Sequence, residues 1–534
     1  MLEVTGTDAI NQFQKLLVIF LWGMFFGMMV FMPPHTLAQV QAQDQDQPKR
    51  QQSFQSQAPV LLHPDPFPVE NGQGLRTAVQ ASVAAGTAEM PFWLYANRYG
   101  ELRPGSRINA LNQLSVRYRM GSPADRYLLE TGAALSLRAA NTGNTAHFQT
   151  LFARAEYGIF RLEAGRFYDD AEMPFPQLTT GSMIVSRNAT PVLRIQLSTR
   201  GFIDVPFTAG HLQFRARYSD GQLERDRYIR DALLHQKMAH LKFNVWRIEL
   251  MTGFIHNVVW AGTDPERGRL PRSFADYLRV VTGRAADPES SASGSEVLNR
   301  LGNGVAAYDG TMIIQLNGAQ LVLHRQIYLE DTVSLRLRSY RDGLYGVGLQ
   351  NISWFSWLDA LLIEHLQTLM QDSLPGMPPG RARYYNHGIY YSGWTYENNV
   401  LGNPLLTIDP SRERYPVYNN LVAGWHLGMH GQLSERSEWQ FMGTFTRNYG
   451  NCNDDLLISG NLCSVTATGR DPRPGSEARP RSEVRRDQYS FLLRGSYLLM
   501  PQHGLSINAA LALDTGAHLG NRAGLEIGLR ISPK

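Results

Sequence analysis

The densest group of side chains that could do chemistry lies between Arg381 and Asn403. Aromatic rings in this stretch can cover the apolar C–H face of a sugar, while guanidinium, amide and imidazole groups can pair with its hydroxyls. The mixture is typical of a glycan-binding site, although the same rings could instead pack the base of a loop or join a membrane-interface girdle. The candidate contact residues are Arg381, Arg383, Tyr384, Tyr385, Asn386, His387, Trp394, Tyr396 and Asn403.

A second candidate is a set of charged side chains, rich in arginine, that alternate with apolar residues. They could attract an acidic polymer or an anion, or they could form charge ladders that hold a barrel interior together. The set comprises Arg161, Glu163, Arg166, Arg194, Arg215, Arg217, His240, Lys242, Glu249, Arg336, Arg338 and Arg494. The net charge of +4 is too small and too dispersed to indicate nucleic-acid binding.

Local signatures of catalysis are missing from the sequence. It contains no G-x-S-x-G, no H-E-x-x-H and no phosphate-binding G-x-x-x-x-G-K. We therefore expect no enzymatic activity, although a hydrolase site assembled from distant strands would leave no such motif. The acidic residues of the chain have no metal-site spacing, so we also expect no metal and no cofactor.

The elements that must position these side chains follow a two-residue alternation that recurs from Ile108 to Ile531. From Ala523 to Ile531, for example, every second residue is apolar, and Gly, Glu, Gly and Arg stand between them. A strand with lipid on one side and a lumen on the other must change polarity at every step. A soluble β-protein can show the same alternation, but tyrosines near the segment ends favour interfacial girdles. The pattern predicts a mainly β fold, an antiparallel transmembrane β-barrel of about eighteen strands over residues 106–534.

The N-terminus carries an export signal. Lys15 precedes the apolar run Leu16–Met32, and a cleavage-site-like segment that ends in Ala follows at Thr36–Ala38. A charged region, an apolar region and a cleavage site in this order are typical of a signal peptide. We expect a signal peptide at residues 1–38 and delivery to the outer membrane, and the alternative is a single membrane anchor. No later segment reaches the ~20 apolar residues of a spanning helix, so a membrane protein here must be a barrel.

Two segments separate the signal from the predicted barrel. Residues 39–57 are rich in Gln and nearly free of large apolar residues, which predicts a disordered lead. Residues 58–105 contain the Ala-rich stretch Leu75–Glu89, whose composition favours a helix. We expect this periplasmic helical segment to lie outside the barrel wall or to plug one mouth.

Three insertions, at residues 261–300, 372–403 and 452–486, predict long loops, the first with a short helix at Ser273–Val281. The third contains Cys452 and Cys463, which an exported chain can join as a loop disulfide. Leu358–Gln371 is ambiguous between helix and strand, and its place in the series favours a strand.

Several passages resemble the Wzi-type capsule assembly family, in the form found in Bacteroidetes-like bacteria. They are Pro91–Gly100 at the barrel entrance, Asn303–Asp309, Tyr328–Asp331, Asp342–Gly346, Tyr384–Gly388, Gly393–Tyr396 and Gly402–Leu405. The chain departs from the family pattern at Leu369–Ser373, which matches only loosely, and at the C-terminal LRISPK, which lacks a terminal aromatic residue.

The resemblance implies an outer-membrane barrel of about eighteen strands with a small helical element at the periplasmic mouth. It also implies a surface lectin that helps to attach capsular polysaccharide or exopolysaccharide. The expected partners are that polysaccharide, outer-membrane lipids and other polysaccharide export components. The alternative is a channel whose basic lumen passes anions or acidic oligosaccharides.

Overall fold

The computed structural model describes Asp65 and residues 73–122, 125–168, 173–330, 337, 339–371, 383–451 and 484–532. The predicted signal peptide, the Gln-rich lead, Arg381 and both cysteines lie outside the described residues. Among the described residues, no helix combines the length and apolarity needed to cross a membrane.

Eighteen antiparallel strands form one closed sheet, as the alternation predicts. Each strand pairs with the next along the chain, and β1 also pairs with β18, from Val79 opposite Ile531 to Gly86 opposite Gly524. The strands are β1 Gly74–Gly86, β2 Ile108–Met120, β3 Tyr127–Ala140, β4 Thr145–Tyr157, β5 Phe160–Arg166, β6 Leu193–Thr199 continued at Ile203–Asp204, β7 Leu212–Gln222, β8 Leu233–Val245, β9 Ile248–Trp260, β10 Asn303–Leu316, β11 Ala319–Leu329, β12 Gly343–Gln350, β13 Ala360–Gln367, β14 Val422–Ser434, β15 Ser437–Asn448, β16 Arg486–Met500, β17 Leu505–Gly516 and β18 Arg522–Ile531.

The prediction of a helix at Leu75–Glu89 is wrong, because this segment forms β1. The barrel therefore begins at Gly74 and not at residue 106. Alanine has the highest helix propensity, but propensity is a weak preference that tertiary context overrides. An unpaired strand edge in lipid, in contrast, leaves a row of unsatisfied backbone groups. β1 satisfies those groups on both β2 and β18. The ambiguous segment Leu358–Gln371 is confirmed as a strand, β13.

Outward residues of the wall are apolar and exposed, while inward residues are polar and buried. On β18, Leu525, Ile527 and Leu529 are about half exposed, and the inward Glu526 and Arg530 are buried. Exposed tyrosines stand near strand ends, including Tyr127, Tyr157 and Tyr489. A closed barrel with an outward apolar band and aromatic girdles is an outer-membrane barrel.

The connections alternate between short turns at one end of the barrel and long loops at the other. The turn end includes residues 158–159, 246–247, 317–318 and 435–436. The long-loop end carries the described parts of residues 87–107, 167–192, 223–232, 261–302, 330–342 and 368–421. Outer-membrane barrels place short turns in the periplasm and longer loops outside, so the long-loop end faces the cell exterior.

The described α-helices all lie in loops of the long-loop end. They are α1 Phe92–Tyr95, α2 Phe274–Thr282 and α3 Gly294–Leu298, and α2 confirms the helix predicted at Ser273–Val281. The helical element expected at the periplasmic mouth is not among the described residues, since α1 lies at the opposite end.

Apolar side chains of four long loops, joined by Leu270 of the 261–302 loop, meet inside the mouth and form the largest buried cluster among the described residues. The loops are 87–107, 167–192, 223–232 and the described part of 368–421, and together they are called the plug below. Its members include Trp93, Met183, Ile229 and Trp394. The main hydrophobic core thus lies within the barrel mouth.

Candidate functional site

The predicted glycan contacts from Arg383 to Asn403 all lie in the loop that joins β13 to β14. This loop folds back into the barrel mouth as part of the plug. Short antiparallel hairpins pair Thr395–Tyr396 with Asn399–Val400 and Thr407–Ile408 with Val417–Asn419. The structure therefore brings the predicted residues together at the end of the barrel that faces outward.

The aromatic members of the predicted set are buried. Tyr384, Tyr385 and Trp394 are 0% exposed, and Tyr396 is 1% exposed. Tyr384 packs edge-on against Tyr328 of β11, with 4.5 Å between the ring centroids. A ring whose faces are covered by protein offers no surface to a sugar, so in this structure these four residues support the plug.

Their polar atoms bond to other parts of the plug. The Tyr385 hydroxyl donates to the carbonyl of Met183 at 2.6 Å and accepts from the backbone N–H of Asn403 at 2.9 Å. The indole N–H of Trp394 donates to the carbonyl of Ile184 at 2.7 Å. These bonds fasten the 383–421 segment to loop 167–192.

The two amide residues of the set act in the same way. Asn386 donates to the carbonyl of Val417 at 2.8 Å, and Asn403 donates to the carbonyl of Gly181 at 2.6 Å. Gly393 lies between them with φ of +67°, and a Cβ there would be 2.2 Å from the Tyr385 carbonyl oxygen. The tight turn at the centre of the predicted site therefore requires glycine.

Burial changes the acid–base properties of the plug. It raises the pKa of Tyr384 and Tyr385 above the usual value of 10.0. It also raises the pKa of Tyr396, where the carboxylate of Glu397 adds to the effect. These hydroxyls therefore stay protonated and act as neutral hydrogen-bonding groups.

The α1 segment lies against the inner face of the barrel wall. The backbone N–H of Phe92 donates to Asp514, and the indole N–H of Trp93 donates to Thr444 at 3.0 Å. Arg98 forms two bonds with Glu526, at 2.6 and 3.0 Å. Contacts with β15, β17 and β18 thus hold this segment in place.

A partly exposed aromatic and basic surface lies next to the buried cluster. Arg414 is exposed, Tyr391 and Tyr415 are half-buried, and Tyr228 is buried. The guanidinium of Arg414 stacks 4.5 Å from the Tyr391 ring centroid and 5.0 Å from that of Tyr228. Tyr391 also contacts Tyr228 and Tyr415 edge-on, at 4.7 and 5.4 Å between centroids. We call Tyr228, Tyr391, Arg414 and Tyr415 the Arg414 surface.

None of the four residues of the Arg414 surface is among the predicted contact residues. Tyr391 lies within the Arg381–Asn403 stretch, but Arg414 and Tyr415 follow it in the chain and Tyr228 belongs to loop 223–232. The sequence RERY at residues 412–415 carries the same combination of basic and aromatic groups. His387 and Arg383 of the predicted set are partly exposed.

The charged inward residues mostly pair with one another. Arg154 bridges Glu130 at 3.2 Å and Glu163 at 2.7 Å, and Arg161 pairs with Glu156 at 2.7 Å. Further along the wall, the predicted residues His240 and Lys242 face Asp309 and Glu249 at 3.0 and 3.8 Å. This pattern fits charge ladders that stabilise the barrel interior. Arg336 and Arg338 lie outside the described residues.

A cavity of about 90 Å³ lies in the lumen against the α1 segment. Four arginines and two glutamates line it, so the local charge is positive. The charged lining residues are Arg98, Arg187, Arg494, Arg530, Glu101 and Glu526. Among the residues that the structure describes, no three His, Cys, Asp or Glu side chains are grouped to hold a metal ion.

Comparisons with known proteins give one family match. The family model for the capsule assembly protein Wzi matches residues 91–407. No curated protein matches the sequence.

Several solved outer-membrane structures are similar to the chain at low sequence identity. Escherichia coli Wzi, a carbohydrate-binding β-barrel involved in group 1 capsule assembly, is 12% identical, with 85% of this chain and 84% of that chain covered and a TM-score of 0.49. Pseudomonas aeruginosa OpdL is 8% identical, with 86% and 98% covered and a TM-score of 0.44. OpdQ of the same species is 7% identical, with 86% and 97% covered and a TM-score of 0.42.

Proposed function

The chain belongs to the Wzi capsule assembly family, and from this premise we propose that it binds polysaccharide at the cell surface. In this proposal the protein is a lectin-like barrel of the outer membrane that helps to attach capsular polysaccharide or exopolysaccharide. It acts by binding alone, with no catalytic step.

The Arg414 surface is the observation that carries the proposal. Tyrosine rings can contact the C–H face of a sugar, and an arginine beside them can donate paired hydrogen bonds to a carboxylate or to hydroxyls. Arg414 is already oriented by the hydroxyl of Tyr228 at 2.8 Å and by the carboxylate of Glu266. A preoriented guanidinium loses less conformational entropy on binding than a free one.

The buried tyrosines supply rigidity to this surface. Tyr391 follows the buried Tyr390 directly, and its backbone carbonyl accepts from the N–H of Tyr415 at 3.0 Å. The plug therefore fixes the two half-buried rings, Tyr391 and Tyr415, relative to each other. Many such sites on neighbouring protein copies would hold one long polymer through individually weak contacts.

The test is binding of the purified, detergent-solubilised protein to the surface polysaccharide of its host. We expect the double variant Tyr391→Ala with Arg414→Ala to lose about tenfold or more in affinity, because it removes a ring contact and a charge-assisted hydrogen bond. The matched control is Arg126→Ala with Tyr157→Ala, since Arg126 stacks 4.8 Å from the Tyr157 ring centroid at the turn end. The control should bind as the wild type does.

Equal binding by the wild type and the Arg414 double variant would reject this surface as the contact site. Absence of saturable binding by the wild type would reject the lectin function. In that case ion conductance in a planar bilayer would favour the alternative, a channel for anions or acidic oligosaccharides. The positively charged lumen cavity is the feature that favours this second function.

A further inference from the structure

The 261–302 loop has two parts: its first residues pack against the plug through Leu270, whereas its helix α2 lies against the outer wall. The Tyr277 hydroxyl donates to Asp220 of β7 at 2.6 Å and hydrogen bonds the Tyr218 hydroxyl at 2.5 Å. At the C-terminal end of the helix, Lys237 of β8 donates to the carbonyl of Val281. Tyr277 also packs 5.5 Å from the ring of Trp260 on β9. The helix thus covers the outer face of three strands.

The surface beneath α2 is unlike the rest of the lipid-facing wall. On the adjoining β6 the outward residues Leu193, Ile195 and Leu197 are apolar and 49–62% exposed. Ile195 pairs with Asp220 on β7, and Asp220 pairs with His235 on β8. The outward positions that follow Ile195 across the sheet are therefore charged or polar. Asp220 and His235 bond at 2.9 Å. Without α2, this polar patch would face lipid.

The face of α2 that points away from the wall is apolar. Phe274 is 75% exposed and Leu278 is 48% exposed, and they lie one turn apart. In the neighbouring α3, Leu298 is 89% exposed. A short amphipathic helix with aromatic and aliphatic residues on its free face is typical of one that lies in a membrane interface.

Arginines stand at both ends of this apolar face. Arg272 precedes the helix and Arg284 follows it, and both are exposed with no ion-pair partner among the described residues. Arg279 on the flank of the helix is occupied, because it pairs with Asp287 at 2.8 Å. The helix N-terminus is occupied as well, by a capping box between Ser273 and Asp276. The positive charge available to a ligand therefore comes from Arg272 and Arg284.

We propose that α2 with Arg272 and Arg284 forms a binding site for a phosphate-bearing lipid of the outer leaflet. Phe274 and Leu278 enter the acyl region, and the two guanidinium groups hold the anionic headgroup. Such a site requires apolar area and positive charge together, and the 261–302 loop supplies both on the outer wall. A second copy of the chain would leave the exposed arginines without a complementary charge, so the observations favour lipid.

The test is native mass spectrometry of the full-length, detergent-solubilised protein with two lipids that share the same acyl chains. We expect the wild type to retain dioleoyl-phosphatidylglycerol over dioleoyl-phosphatidylcholine, and Arg272→Gln with Arg284→Gln to lower that preference about tenfold or more. Phe274→Ser with Leu278→Ser should weaken the retention of both lipids. Arg225→Gln with Arg436→Gln removes two exposed arginines outside the 261–302 loop and should leave the preference unchanged.

Three results would overturn the lipid site. They are equal retention of the two lipids by the wild type, the same preference in the Arg272 and Arg284 variant as in the wild type, and full displacement of the lipid by inorganic phosphate. A dimer lost in the Phe274 and Leu278 variant, without lipid selectivity, would assign the face to a second copy instead. The melting temperature of each variant shows whether it is folded.

Discussion

Asp342 shows how burial sets the properties of a single residue in this barrel. Its carboxylate accepts hydrogen bonds from the backbone N–H groups of Met370 and Gln371, at 3.1 and 2.6 Å, and from the Tyr384 hydroxyl at 2.9 Å. Despite these bonds, burial raises its pKa from the usual 3.8 to about 6. The residue ties the loop before β12 to the loop after β13.

Asp342 should make stability fall as the pH rises from about 4 to about 6. The folded state keeps the Asp342 proton to a higher pH than the unfolded state does. Ionisation of Asp342 in this pH range therefore destabilises the folded state. The loss should be about 3 kcal/mol by the linkage relation. The free energy of unfolding in detergent between pH 4 and pH 7 measures it, and Asp342→Asn should flatten the slope. An unchanged slope in the variant would contradict this assignment.

For single residues, the sequence predicts which chemical groups lie together better than it predicts which of them are exposed. It places sugar-binding residue types between Arg381 and Asn403, and the structure brings those from Arg383 to Asn403 together at the outward end. Tyr385 and Tyr391 have the same side chain, yet one is buried and the other is partly exposed. The difference depends on Met183 and Tyr228, which come from other loops, and no local pattern records such contacts.

Among the elements, β1 is a segment whose helix propensity is overridden by strand pairing with β2 and β18. Its composition favours a helix, but its outward residues Leu75, Val79 and Val83 are exposed apolar groups on the barrel wall. Alternation correctly predicted most other strands, since side-chain period is a local property. Closure by β1 depends on β18 at the far end of the chain, which a local reading of residues 75–89 does not include.

Charge scanning along β1 should show a dependence on depth. Val79→Lys places a charge on the outer face well inside the strand and should cost about 2–4 kcal/mol, whereas Leu75→Lys near the turn end should cost about 0–1 kcal/mol. Free energies of unfolding in lipid vesicles measure both. A helix within the lumen would show no such contrast, so equal costs would argue against a lipid-facing strand.

For the whole molecule, we expect the plug to determine whether the barrel can act as a channel. Four loops meet within the mouth, and Arg98 and Trp93 fasten the plug to the wall. The approximate number of strands and the positions of several long loops follow from sequence patterns. The packing of the loops into the lumen does not, because it depends on contacts such as that between Trp394 and Ile184.

Removing part of the plug should open a conducting path. We expect the wild type to show little conductance in a planar bilayer, and a variant with residues 384–419 replaced by a Gly–Ser linker to conduct stably. The control replaces the turn at residues 205–211 in the same way and should behave as the wild type. Wild-type conductance equal to that of the plug variant would show that the loops do not seal the lumen.

The pairing of β1 with β18 also constrains how the barrel is made. The barrel closes only when β1, the first described strand, pairs with β18, the last. The pairing that completes the barrel therefore joins the strands that are most distant in sequence. Contacts of this kind form slowly, because the entropy cost of closing a long loop precedes the stabilisation that the contact provides. During assembly β1 therefore keeps one unpaired edge until β18 pairs with it.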